Sequence, residues 1–576
     1  MKTSQITKAI VPERTWSRLT DLVIFGAAIA LFYGILAIAR TWLGPISPEA
    51  EISRSPLALP YYAAYSLLRI LIAYLLSLGF TLIYGYVAAY NKTAERVMIP
   101  LLDILQSIPV LSFLPGVMLA MVALFPSRQI GIEMGSILLI FTGQVWNMAF
   151  SFYSSIKSIP RELHEAAHVY RFSWWQRFTQ LELPYAAIGL VWNSMMSVAG
   201  GWFFLMACEM FVLGKRDFRL PGLGSYLQTA AGAGDTTAIV WGLVAMISVI
   251  VLLDQLVWRP VIAWADKFKF EQVESASAPH SLVLDVLRRS RALSYLGRTT
   301  IEPLNERVSR LFVPNRNSAV DTRRRSGWGR AIVRVLAAVL LAGGIYAIVK
   351  AGYVLSDLAP EEMLTIARGA GATFLRVNVA LLVGAAWAVP AGVAIGFNAR
   401  LARIAQPLAQ IAASVPATAL FPVVLLVLVR VGGGLGVASV VLMLLGTQWY
   451  ILFNVIAGAM AIPTDLKEAA SVYRFSSLDR WRLLILPGIF PYLITGLVTA
   501  AGGAWNASII AEYFHFKGQT LSTLGLGATI SEATDSGNFD QLLAATIVMA
   551  AMVVSVNRLL WRRLYRLAET RFKLEM

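Results

Sequence analysis

The chain has 576 residues, of which 57% are hydrophobic and only 14% charged, with a mean hydropathy of +0.65 and a formal net charge of +16. Soluble domains carry about a quarter charged residues, so an ordinary soluble core is excluded. The single Cys208 excludes an internal disulfide framework, and four scattered histidines have no metal-ligand spacing.

Taken in chain order, the apolar runs predict six membrane-spanning helices at 20–42, 62–90, 100–124, 132–156, 186–212 and 238–260. Six more are predicted at 331–350, 371–396, 405–429, 434–458, 489–515 and 541–560. The run from Leu22 is too long for a cleaved leader and lacks a small-x-small exit, so it reads as a retained span. Loops 43–61 and 351–370 carry Glu49, Glu51, Asp357, Glu361 and Glu362, whereas the chain end RRLYRLAETRFK is basic. Cytoplasmic loops collect Lys and Arg, which puts Met1 and the C-terminus inside and accounts for most of the net charge without an acidic ligand. Segment 266–330 holds 13 Lys or Arg against 7 Asp or Glu and reads as a basic cytoplasmic linker. Its amphipathic stretch HSLVLDVLRRSRALSYLG suits either an anionic membrane surface or a solubilising spacer.

The two halves repeat each other. EAAHVYRFSWWQRFTQLELP (165–184) and EAASVYRFSSLDRWRLLILP (468–487) agree at 12 of 20 positions, 303 residues apart. At that offset Gly143 meets Gly446, Gly200 meets Gly503, Trp202 meets Trp505 and Glu209 meets Glu512; upstream, at 307, Arg69 meets Arg376 and Asn91 meets Asn398. An even number of spans separates the copies, so both have one orientation. The expected fold is all-α and polytopic, with about 12 transmembrane helices in two parallel six-helix repeats (1–265 and 331–576) about a pseudo-two-fold axis.

The repeated loops, 158–184 and 461–487, read as short helices at about 161–170 and 464–473. Pro160 and Pro463 break the preceding span and suit a new helix start; early acids follow. Ala166-Ala167 and Ala469-Ala470 form a small-residue face that another protein could approach. Two such loops suggest a docking surface for a two-fold partner.

EAA followed by L-x-L-P resembles the coupling loop of importer-type ABC transporter permeases. SLLR and TFLR, SIPVLSFLP and SVPATALFP, CEMF and AEYF, PGLG and LGLG resemble the nitrate/sulfonate/taurine branch, as a duplicated and fused permease. The resemblance implies docking on two separate ATPase subunits (or a homodimer) through Glu165, Ala166, Ala167, Pro184, Glu468, Ala469, Ala470 and Pro487. It also implies an extracytoplasmic solute-binding protein and a small anionic solute. That family has Gly six residues after the Glu. Arg171 and Arg474 stand there, so the turn takes another conformation or the Arg bonds the helix end or the partner. The chain has no G-x-x-x-x-G-K-[ST] run, so no nucleotide cofactor is expected on it, nor catalysis.

Arg69, Arg376, Glu209 and Glu512 are ionisable residues within spans and candidates for the pathway. The alternative is that they pair with one another. Trp202 and Trp505 either line the axis or fill it. Two rival readings remain: a duplicated permease for ferric iron, thiamine or phosphonate, and, from another class, an ion-coupled carrier.

Overall fold

The computed structural model describes residues 51–126, 129–213, 216–268, 281–290, 358–430, 434–516 and 519–571, with a few isolated positions between. The expected spans at 20–42 and 331–350, and most of the linker, lie outside the described residues. In the first repeat the chain runs α1 (Leu59–Tyr90), α2 (Lys92–Ser107), α3 (Leu114–Leu124), α4 (Ile130–Lys157), α5 (Arg161–Val169), α6 (Leu183–Glu209), α7 (Leu223–Ala233) and α8 (Thr236–Leu253). α9 (Leu282–Arg289) is the described part of the linker. The second repeat has α10 (Pro360–Phe397), α11 (Ala399–Ser414), α12 (Ala417–Arg430), α13 (Leu435–Ala461), α14 (Thr464–Val472), α15 (Leu486–Ala511), α16 (Leu526–Ser536) and α17 (Phe539–Val556). Among the described residues, eight helices are long and apolar enough to cross a membrane. The protein is therefore an all-α polytopic membrane protein.

Three expectations need correction. The third span of each repeat, expected at 100–124 and 405–429, is two helices rather than one rod; the second copy bends by 86° between 400–413 and 417–428. The cause is Pro109 and Pro416, which cannot donate to the ladder and push Ile108 (ψ 127°) and Val415 (ψ 118°) into extended backbone. The fifth spans, expected to reach 212 and 515, end at Glu209 and Ala511. The chain then folds into antiparallel hairpins, β1 (Val212–Leu213) with β2 (Arg216–Asp217), and β3 (Tyr513–Phe516) with β4 (Gln519–Ser522). Finally, α10 begins at Pro360, eleven residues before the expected span, so Glu361 and Glu362 lie in its first turn rather than in a loop. The Glu362 carboxylate accepts from the Ala359 N–H at 3.1 Å and holds that start.

Matched residues build matched turns. Asn91 and Asn398 cap α2 and α11, each side-chain oxygen accepting from two backbone N–H groups at 3.0 and 3.2 Å. Each hairpin feeds a short buried helix, α7 or α16, closed by Gly234 (φ 68°) or Gly537 (φ 72°) in the left-handed region. Within a repeat the first long helix packs on the next. A Cβ on Gly85 would come within 2.7 Å of the Phe152 ring, and one on Gly392 within 2.8 Å of Val455, so the crossing requires glycine. Between repeats, Asn506 of α15 accepts from the Leu111 N–H at 3.4 Å, and the Thr546 hydroxyl donates to the Ser112 carbonyl at 3.2 Å.

Candidate functional site

The repeated loops have the same construction. Pro160 and Pro463 occupy the N-cap, and α5 and α14 each run nine residues, one fewer than expected. Each helix ends in a Schellman turn. The Phe172 N–H donates to the Ala167 carbonyl at 2.9 Å and the Arg171 N–H to His168 at 3.0 Å. In the second copy Phe475 donates to Ala470 and Arg474 to Ser471, both at 3.0 Å. That turn needs one left-handed residue, and it is Arg171 (φ 52°) or Arg474 (φ 50°), the two non-glycine residues with positive φ among the described residues. The arginines thus keep the conformation that glycine favours, at a cost of about 1–2 kcal/mol each. The expectation of a different turn is corrected.

The face these helices hold out also differs from the expected one. Ala167 and Ala470 are buried in the protein's own fold, and Ala166 and Ala469 are half-buried. What faces outward is Glu165, Val169, Tyr170 and Arg171, and in the other copy Glu468, Val472, Tyr473 and Arg474. Val169 and Tyr170 are 76% and 75% exposed, Val472 and Tyr473 78% and 76%. Each repeat thus holds a large apolar pair outward at the same turn. Pro184 and Pro487 sit in the first turn of α6 and α15, just after a π-turn (Phe178–Glu182 and Arg480–Ile485) that joins the loop to the span.

At the opposite, hairpin face, Arg69 and Glu209 come together as a buried clamp. Arg69 Nη1 donates to Glu209 Oε1 at 2.7 Å and to the Pro221 carbonyl at 2.8 Å. The Ser66 hydroxyl donates to Glu209 at 2.6 Å and accepts from the Leu223 N–H, while Gly224 N–H donates to Glu209 Oε2 at 2.7 Å. The second repeat reproduces it with Arg376, Glu512, Thr373, Leu524, Leu526 and Gly527. A Cβ on Gly222 or Gly525 would run into the Glu209 or Glu512 carboxylate, which explains the repeated glycines. The clamp ties the first long helix of each repeat to the end of the fifth span and to the short helix after the hairpin. The glutamates are fully buried, so the paired alternative is the one the structure shows.

Sequence reasoning missed one member. Glu133 takes Arg69 bidentately, Oε2 from Nε at 2.6 Å and Oε1 from Nη2 at 2.8 Å. Its equivalent is Gly436, so comparison of the repeats hid it. The available signal was an acid at the head of the apolar run IEMGSILLI. Arg376 Nη2 bonds the Thr523 hydroxyl instead, at 2.9 Å.

Between the repeats lies a cavity of about 560 Å³, lined by equivalent positions of both, including Gly143 and Gly446, Gly200 and Gly503, Asn147 and Tyr450. It reaches Met460 and Gln406, near the loop face. None of Arg69, Arg376, Glu209, Glu512, Trp202 or Trp505 lines it. Trp202 and Trp505 are 1% and 2% exposed and fill the core.

A membrane chain written twice, with a cavity between the copies and one outward-held loop from each, is the architecture of a transport permease. The chain belongs to the binding-protein-dependent transport system inner membrane component family, whose description matches residues 81–257 and 388–573. It is 28% identical over 188 residues to the nitrate import permease protein NrtB of Leptolyngbya laminosa, covering 33% of this chain and 64% of the relative. It is 26% identical over 187 residues to the bicarbonate transport system permease protein CmpB of Synechococcus elongatus (32% and 64%). Against the taurine transport system permease protein TauC of Escherichia coli it is 26% identical over 219 residues (35% and 76%). The alignments thus span somewhat less than two thirds of the nitrate and bicarbonate relatives.

Proposed function

We propose that the chain is the permease component of an ATP-driven importer for a small anionic solute, in the cytoplasmic membrane with both termini cytoplasmic. Residues 1–265 and 331–576 act as two permease units joined by the linker 266–330. Two ATPase subunits dock on α5 and α14, and an extracytoplasmic binding protein delivers solute at the hairpin face. ATP-driven closure of the ATPases moves the two loops together. The π-turn connection passes that motion to α6 and α15, which flank the cavity, and the clamps hold the far ends fixed.

The observation that carries this reading is the identical exposed Val-Tyr-Arg on identical turns in both repeats. The names of the nitrate, bicarbonate and taurine relatives support an anion. The test is co-purification with a co-expressed ATPase subunit. Glu165→Lys with Glu468→Lys, and separately Tyr170→Ala with Tyr473→Ala, are expected to abolish association and ATP-driven uptake. An intact, transporting complex with all four residues changed overturns the reading.

A further inference from the structure

We infer that the turn Val110–Phe113 is the outer lid of the cavity between the repeats, that Asn506 and Thr546 latch it shut, and that this turn, not its counterpart in the second repeat, sets how often the cavity opens outward. The inference rests on the importer reading in one respect, that the cavity is the solute's path. Its first ground is a second, smaller cavity of about 140 Å³ at the hairpin face, lined by Leu111 and Pro115 of the first repeat and by Ile509 and Tyr513 of the second, among others. The two cavities follow one another along α6 and α15. Phe204 and Asn506 line the larger one; Ala207 and Ile509, three residues further out on the same helices, line the smaller. Three residues advance a helix by about 4.5 Å, so the partition is thin. Leu111 borders the outer cavity and Asn506 the inner one, and the Leu111 N–H donates to Asn506 Oδ1 at 3.4 Å. That bond lies in the partition itself.

The second ground is that both side-chain bonds to this turn come from the other repeat. Asn506 Nδ2 donates to the Gly502 carbonyl at 3.0 Å, which turns its oxygen toward Leu111. One residue on, the Ser112 carbonyl accepts from the Thr546 hydroxyl of α17 at 3.2 Å. The Ser112 hydroxyl donates to the Pro109 carbonyl at 2.7 Å and braces the turn from within. Val110, Leu111 and Ser112 are buried. When the repeats part at this point, a buried N–H and a buried carbonyl each lose a partner, which water must then replace. The two bonds therefore favour the closed partition.

The third ground is that the second repeat lacks the latch. Its counterpart residues, 417–420, form the first turn of α12 instead of a separate turn, and Ala419 replaces Ser112. The positions of Asn506 and Thr546 are taken in the first repeat by Phe203 and Leu243, whose side chains neither donate nor accept. Thr418, the counterpart of Leu111, is 4% exposed and its hydroxyl has no partner within the protein. A repeat thus folds without these bonds. What they act on is the contact between repeats, which must part for solute to enter from the hairpin face.

The test places a cysteine in the larger cavity, Ala199→Cys, in the full chain co-expressed with an ATPase subunit in spheroplasts. A membrane-impermeant maleimide then reaches the hairpin face alone. Cys208 is buried, so each variant without Ala199→Cys supplies the blank. The otherwise unaltered chain is expected to label slowly. Each hydrogen bond lost is worth a factor of about two to ten in the opening equilibrium. Asn506→Leu with Thr546→Val should therefore raise the labelling rate at least fivefold, and each single variant at least twofold. Thr546→Ser, which keeps the hydroxyl, and the mirror pair Phe203→Leu with Leu243→Met should stay within twofold of the unaltered rate. Thermal midpoints certify folding, and the single variants decide if the double one does not fold. Fast labelling of the otherwise unaltered chain, unchanged labelling of folded latch variants, or equal acceleration by the mirror pair each overturns the inference. If the latch variants are inert while the loop variants still abolish ATPase association, the importer reading stands and only the lid falls.

Discussion

The two clamps are the same device with different electrostatics. In the first repeat one buried arginine answers two buried carboxylates, Glu133 and Glu209; in the second, Arg376 answers Glu512 alone and turns Nη2 to the Thr523 hydroxyl, while each arginine also bonds a backbone carbonyl, Pro221 or Leu524. Two substitutions account for the exchange, Glu133 for Gly436 and Leu220 for Thr523. Backbone, hydroxyl and glycine positions are otherwise superimposable in role. The difference teaches that the clamp does not require a particular count of charges. The Thr523 hydroxyl in one copy stands in for the Glu133 carboxylate in the other.

The largest expected effect comes from breaking the more charged copy. Arg69→Met leaves two buried carboxylates without their cation, and removal of one partner of such a cluster costs about 3–5 kcal/mol. Arg376→Met strands one carboxylate that still accepts from Thr373 and the Gly527 N–H, and Arg376 is 16% exposed, so the loss is smaller. Thermal unfolding of the full chain in detergent should rank the variants in that order, and equal losses would contradict the comparison. Gly436→Glu sharpens it. A Cβ there lies 3.9 Å from Arg376 Nη2 and 3.8 Å from Thr523 Oγ1, so a carboxylate has room to reach the guanidinium. Added to Glu512→Gln, it should recover at least half of the stability that Glu512→Gln removes; added to the unaltered chain it should change little.

The elbows that join loop to span differ in the same way and on a smaller scale. In the first, Glu182 is buried and pairs with Arg177 at 2.7 Å while Tyr90 donates to it. The second has Ile485, Arg480 and Phe397 at these positions. Glu182→Ile should cost about 1–2 kcal/mol, because the bonds of the buried carboxylate to Tyr90 and to Arg177, which is 34% exposed, are lost. Glu182→Ile with Tyr90→Phe copies the second elbow and should return close to the unaltered melting midpoint. If the double variant is worse than the single, the two elbows are not interchangeable solutions.

Most of the architecture was legible in the sequence because membrane spans and a duplication are both coarse signals. Apolar runs located α1, α4, α6 and α8 and their counterparts, with the start of α10 missed by eleven residues. The repeat located both exposed loops and named Arg69, Glu209, Arg376 and Glu512 before any contact was known. What stayed hidden was of two kinds. The ends of the fifth spans were overrun because the residues after Glu209 and Glu512 are still apolar, and hydropathy cannot distinguish a helix from a hairpin there. The cavity walls were missed because a repeat comparison finds what the copies share, whereas Asn147 and Tyr450 line one cavity and differ. The outward face of the loops was misassigned for a third reason. Ala167 and Ala470 are small because they pack inward, and only the turn geometry shows that Val-Tyr-Arg points out.

The smallest effect concerns that turn, where the copies agree. Arg171→Gly or Arg474→Gly removes a left-handed arginine and frees the unfolded chain, opposing terms of about 1–2 and 0.5–1 kcal/mol. Each single variant should therefore be more stable by up to about 1 kcal/mol, and the two gains should add, since the sites share no partner among the described residues. Stability and association then separate. Both arginines are exposed and carry no ion pair among the described residues, and on the proposed docking reading they contact the ATPase. The double glycine variant should melt higher yet bind the ATPase at least several-fold more weakly, measured by titration of the purified subunit onto nanodiscs. Unchanged ATPase affinity would leave the arginines as tolerated substitutions in a glycine turn and confine docking to Glu, Val and Tyr.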